Sequence, residues 1–127
     1  GNERCESFSK GMRQKVALAG ALVHEPRVII LDEPLTGLDA GSARQVKSVL
    51  RERVNAGGTI VMTTHILEVA ERMADRIGVI AHGKLIAEGT LEELRLQAAK
   101  GAAGSFSHGA SLEDTFLALV AEQAQAA

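Results

Sequence analysis

From Ser9 to about His24 the apolar residues Met12, Val16, Ala19 and Val23 fall three or four positions apart, which is one face of a helix. Ser9 stands as its N-cap and Pro26 as its terminator. The rhythm then changes. Val28-Ile29-Ile30-Leu31 is an unbroken aliphatic run that meets Asp32-Glu33-Pro34, and a run without polar alternation predicts a strand covered on both faces. Pro34 stops it, having no N–H for a ladder. Helical spacing returns with Ala43, Val46 and Leu50, capped by Asp39 at one end and closed by Gly57-Gly58 at the other. Thr59-Ile60-Val61-Met62-Thr63 predicts a second short strand, and Thr64-His65 open a third helix with Ile66, Val69, Ala70 and Met73 as its stripe.

Strand, helix, strand at this spacing is a βαβ unit, whose crossover makes the two strands parallel. Parallel neighbours end on the same edge of a sheet, where open α/β folds bind ligands beyond the strand tips. Asp32 and Glu33 at one tip and His65 just past the other are therefore expected to face one crevice, although some thirty positions separate them. Adjacent carboxylates there can divide labour, one holding a hard cation such as magnesium and one polarising water.

Farther along, Ile77-Gly78-Val79-Ile80-Ala81 and Lys84-Leu85-Ile86-Ala87 flank His82-Gly83 as a hairpin. The stretch from Gly78 to Lys84 also matches the glycine and lysine spacing of a phosphate-binding loop. The match fails on chemistry, because Leu85 stands where a magnesium-binding hydroxyl belongs and no helix follows to receive a phosphate. Thr90 with Glu93 forms a capping box opening a short helix through Leu94. Residues 98–111, rich in Ala, Gly and Ser, read as a flexible linker. A last helix over 112–124 is opened by Ser111 with Asp114 and carries Leu112, Phe116, Leu119 and Val120 on one face.

Composition narrows the function. A length of 127 residues is about one domain, and the first residue being Gly1 instead of Met predicts a piece of something longer. No apolar run approaches the ~20 residues of a membrane helix, and no signal peptide is visible. Basic side chains number 14 against 16 acidic and are scattered, so no nucleic-acid footprint emerges, and with no Trp or Tyr and three Phe there is little for bases to stack on. The single cysteine, Cys5, excludes an internal disulfide and a cysteine-rich metal site, and suits a reducing, cytosolic setting.

Each remaining motif is ordinary alone. Phe8-Ser9-Lys10-Gly11-Met12 places a hydroxyl, a lysine and a helix N-terminus where a phosphate would fit, yet serine caps are common. Thr36-Gly37-Leu38-Asp39 by itself is a turn into a capped helix. A lone His65 is more often structural than catalytic. Their order is informative: Ser-x-Gly helix, strand into Asp-Glu-Pro, Gly-Leu-Asp, then strand into Thr-Thr-His.

That order resembles the ATP-binding domains of ABC transporters over roughly residues 5–95. In the resemblance Phe8 to Met12 occupy the signature motif, Ile29 to Glu33 the Walker B strand, Gly37-Leu38-Asp39 the D-loop and His65 the switch position. Residues 112–119 are similar to the C-terminal helix of exporter-type subunits. The signature departs from the common Leu-Ser-Gly-Gly-Gln, keeping the serine and the second glycine. The family's Walker A loop, glutamine loop and adenine-stacking aromatic would lie upstream of Gly1.

The resemblance implies a P-loop NTPase-like α/β fold, a partial ABC ATPase domain over residues 1–97 with a mainly parallel sheet and flanking helices. It implies ATP and Mg²⁺ as ligands, Asp32 holding magnesium through water, Glu33 as general base and His65 on the terminal phosphate. Ser9, Lys10 and Gly11 would grip a nucleotide bound to a second, head-to-tail subunit, with Gly37, Leu38 and Asp39 at that interface. Transmembrane permease subunits would be the other partners, placing the protein in the cytoplasm at the inner face of the membrane. Two other readings stand beside it: a non-catalytic interaction module, and a soluble ABC-type ATPase of chromosome or repair machinery.

Overall fold

In the computed structural model, residues 2–101 and 111–126 are described, with side chains over 12–100 and 111–124. The chain divides between His65 and Ile66 into two compact units.

The first unit holds α1 (Asn2–Leu22), β1 (Val28–Asp32), α2 (Ala40–Asn55) and β2 (Thr59–Thr63). β1 and β2 pair in parallel with Ile29 opposite Ile60 and Asp32 opposite Thr63, as the crossover requires. α2 packs on β2 and buries Val46 and Leu50, each contributing about 1.5–3 kcal/mol by leaving water. Its entry is fixed by Asp39, whose side chain accepts from the Ser42 N–H at 2.7 Å, an N-cap of about 1 kcal/mol. Its exit turns through Gly57 at φ 102°, a left-handed backbone that favours glycine. Arg53 ties that end to the loop before β1, donating to the Pro26 carbonyl at 2.6 Å.

Two expectations for this unit are corrected. β1 is covered on one face only: Ile29 is 5% exposed, whereas Val28 and Ile30 are 56% and 75% exposed. Val61 of β2, on the same side, is exposed as well at 49%, so among the described residues that face of the sheet is open. α1 starts at Asn2, which places Ser9 within the helix and not at its cap. No proline and no glycine stands between Asn2 and Ser9, and Glu3, Arg4 and Glu6 are good helix formers that let it begin earlier.

The second unit holds α3 (Leu67–Met73), β3 (Ile77–Ala81), β4 (Lys84–Gly89), α4 (Leu91–Gly101) and α5 (Leu112–Ala126). The hairpin forms as expected, and His82 and Gly83 both adopt positive φ, matching the right-handed twist of the strands it joins. This also disposes of the Gly78–Lys84 phosphate-loop match, since those residues lie in the hairpin. Gly89, at φ 156°, is needed as well, because a β-carbon there would collide with the Glu93 carboxylate. Ile77, Val79, Ala87, Leu94, Ala98, Leu112 and Leu119 form the core. α5 is opened by Ser111, whose Oγ accepts from the Asp114 N–H at 3.1 Å, and Glu71 of α3 accepts from the Leu112 N–H at 3.4 Å.

Here α3 begins at Leu67 with Ile66 as N-cap and no side-chain cap bond, so Thr64 and His65 precede the helix instead of opening it. α4 runs on to Gly101, and Ala98 is a core residue, so the first part of the expected linker is helical. The rest, 102–110, lies outside the described residues.

Candidate active site

The parallel register carries Asp32 and Thr63 to the same edge of the sheet, and the chain past each strand supplies Glu33 on one side and Thr64-His65 on the other. The Glu33 N–H still donates to the Thr63 carbonyl at 2.9 Å, extending the ladder one residue beyond β1. At that point the backbone breaks pattern. Glu33 has φ 48°, left-handed and uncommon for a residue with a β-carbon. Such a conformation costs on the order of 1–3 kcal/mol and persists only where surrounding bonds over-determine it.

Those bonds are present. The Glu33 carbonyl accepts from the Gln14 side-chain amide at 2.9 Å and from the Thr36 N–H at 3.3 Å. The carboxylate accepts from the His65 N–H at 2.8 Å and from the Thr36 hydroxyl at 3.3 Å, and Oε1 also meets His65 Nδ1. Pro34, directly after, is buried and anchors the turn. The His65 ring, then its backbone N–H, the Thr64 side chain and the His65 charge hold the Glu33 carboxyl below the usual glutamate range, against an opposing desolvation. An ionised Glu33 accepts only, so His65 Nδ1 carries the proton and donates to it.

Asp32 sits one residue earlier with its Oδ1 accepting from the Thr63 hydroxyl. Among the described residues no group of three or more His, Cys, Asp or Glu is placed to hold a metal. A single exposed carboxylate beside a hydroxyl does suit magnesium, which takes one or two carboxylates and fills its shell with water and phosphate oxygens. Asp39 caps α2, and its carboxyl is lowered mainly by the Ser42 N–H, with Lys15 of α1 among the lesser causes. Gly37 at φ 81° turns the chain between Glu33 and that cap, with Leu38 half-buried after it.

Asp32, Glu33 and His65 are thus brought together, and Gly37, Leu38 and Asp39 follow within one turn and cap. Ser9, Lys10 and Gly11 lie in α1, and their side chains fall outside the described residues. Sequence reasoning missed Gln14 and the hydroxyl role of Thr36. A signal for Gln14 existed: it lies four residues before the buried Leu18, so a polar amide occupies the core-facing side of α1.

The parallel βαβ edge thus gathers two adjacent acids and, just past the neighbouring strand, a histidine, and similarity to known proteins names the family. The family profile described as ABC transporter matches residues 1–36. The chain is 47% identical over 90 residues to the daunorubicin/doxorubicin resistance ATP-binding protein DrrA of Streptomyces peucetius, a match covering 71% of this chain and 27% of that protein. It is 47% identical over 88 residues to the Nod factor export ATP-binding protein I of Rhizobium leguminosarum bv. viciae, covering 69% and 28%. The solved structure of an ATP-binding subunit of an ABC transporter superposes with a TM-score of 0.78 at 35% identity, covering 87% of this chain and 43% of that one. The chain is a segment of an ABC transporter ATP-binding domain, with the P-loop NTPase fold of that family. It spans under a third of the length of these two curated relatives.

Proposed function

We propose that the segment supplies the hydrolytic edge of an ATP-binding subunit that powers an exporter-type ABC transporter. The observation that carries this reading is the Glu33–His65 pair: a carboxylate held ionised, in a strained turn, at the tip of a parallel strand. Glu33 would take the proton from the water that attacks the terminal phosphate of ATP. With both ring nitrogens protonated, His65 would direct Nδ1–H to Glu33 and donate Nε2–H from its exposed ring to that phosphate. Asp32 would hold Mg²⁺ through water, the ion supplying charge neutralisation at the β- and γ-phosphates.

Ser9, Lys10 and Gly11 would contact the nucleotide of a second subunit arranged head to tail, with Gly37, Leu38 and Asp39 at the shared interface. Membrane-embedded subunits would be the remaining partners, at the cytoplasmic face. This much is supported by the ordered motifs and by relatives described as resistance and export ATP-binding proteins.

In the complete subunit that contains this sequence, Glu33→Gln keeps the shape of the side chain and removes the base. We expect ATP binding to be retained and turnover to fall about 10²- to 10⁴-fold. Undiminished turnover in that variant would remove Glu33 from the role.

A further inference from the structure

The turn that holds Glu33 is secured from a side the sequence motifs do not mention. Gln14 lies on α1, nineteen positions from Glu33, and its amide Nε2 donates to the Glu33 carbonyl at 2.9 Å. The bond is partly buried, and it is shorter than the other bond to that carbonyl, from the Thr36 N–H at 3.3 Å. Glu33 is one of three non-glycine residues with positive φ among those described, and it is the one at the candidate site. A left-handed residue between a strand and a turn fixes where its side chain leaves the backbone. Relaxing it toward an extended conformation would swing the carboxylate off His65.

The neighbouring residue reinforces the same link. Lys15 donates to Gln45 of α2 at 3.3 Å and lies close enough to Asp39 to favour its charge. Two consecutive side chains of α1 therefore bond outside their own helix, Gln14 to the Glu33 turn and Lys15 to α2.

We infer that Gln14 is a positioning residue for ATP hydrolysis, clamping the Glu33 carbonyl so that the carboxylate is presented to the attacking water. The inference rests on Glu33 being the general base. It also gives α1 a specific mechanical connection to that base: a shift of the helix carrying Ser9, Lys10 and Gly11 moves Gln14 with it, and the Glu33 turn is loosened or held accordingly.

The experiment uses the complete subunit and two variants that keep length but lose the donor, Gln14→Met and Gln14→Glu. Steady-state kcat and KM for MgATP are measured with equilibrium binding of a fluorescent ATP analogue and the thermal midpoint. Misplacing a catalytic group by about 1 Å costs up to ~10²-fold, so kcat is expected to fall about 10- to 100-fold in both variants. KM and analogue affinity should stay within about twofold, the scale of a lost contact that does not touch the ligand. Placed on Glu33→Gln, either substitution should lower turnover no further, because no base remains to be positioned.

An unchanged kcat in a folded Gln14 variant overturns the inference, as does a loss of analogue affinity equal to the loss of kcat, or a full additional loss in the double variant. If one variant fails to fold, the other decides. Should Glu33→Gln itself retain full turnover, the general-base reading has failed, which is distinct from Gln14 having no effect while Glu33→Gln abolishes hydrolysis.

Discussion

Glu33 concentrates in one residue what a carboxylate needs in order to stay ionised and aimed: a left-handed backbone, two donors on its carbonyl, and donors from His65, Thr36 and Thr64 on its side chain. The sign of its pH effect follows. A glutamate whose native pKa is depressed contributes stability that is present above the unfolded value of about 4.3 and is lost as the pH falls below it through the native value. Because the His65 ring is the largest cause of that depression, His65→Ala is expected to move the Glu33 titration midpoint upward, as followed by NMR of its carboxyl carbon. An unmoved midpoint would show that the residue-65 N–H and the Thr36 and Thr64 side chains suffice. At this scale much of the site was legible from the chain. Asp32, Glu33 and His65 are separated in sequence by a helix and a strand of fixed length, and parallel pairing leaves them nowhere to go but one edge. The Gln14 clamp was not legible, since the reach of an amide from α1 to a carbonyl depends on how that helix lies on the strand.

Among elements, those with a local chemical signal fell where expected. Asp39 and Gly57 bracket α2, His82-Gly83 turn the hairpin, and Ser111 opens α5. Those lacking one drifted: α1 already includes residues 2–8 because none of them is a proline or glycine that would stop it before Ser9, and α4 continues to Gly101 because the alanines that suggested a linker are also the best helix formers. Coverage of β1 was misjudged for another reason. An aliphatic run states what a strand tolerates on its two faces, whereas what covers those faces depends on other elements. In the second unit α4 carries the packing, with Leu94 fully buried among β3, β4 and α5 residues. Leu94→Ala is expected to destabilise that unit by about 2–5 kcal/mol, measured by chemical denaturation, while a surface Leu96→Ala control, on the exposed side of the same helix, should change little.

For the molecule as a whole, the two compact units divide the labour unevenly: the candidate hydrolytic residues lie entirely in the first, and the larger contiguous core lies in the second. In the family's terms the phosphate-cradling glycine loop and its lysine have no counterpart in these 127 residues, whose one matching pattern forms a hairpin. The purified 127-residue chain is therefore expected to show no magnesium-dependent ATP hydrolysis, in an assay of released phosphate run beside the complete subunit. Turnover by the chain alone would mean that it builds a phosphate site from other residues. The uncovered face of β1 and β2 bears on how such a sample behaves. Val28, Ile30 and Val61 present an exposed aliphatic strip on a sheet that, among the described residues, has two strands and therefore two edges, a template on which further strands add readily. Handled by itself, the segment carries its own adhesive, and its solubility is set by whatever shields that strip before its catalytic chemistry enters at all.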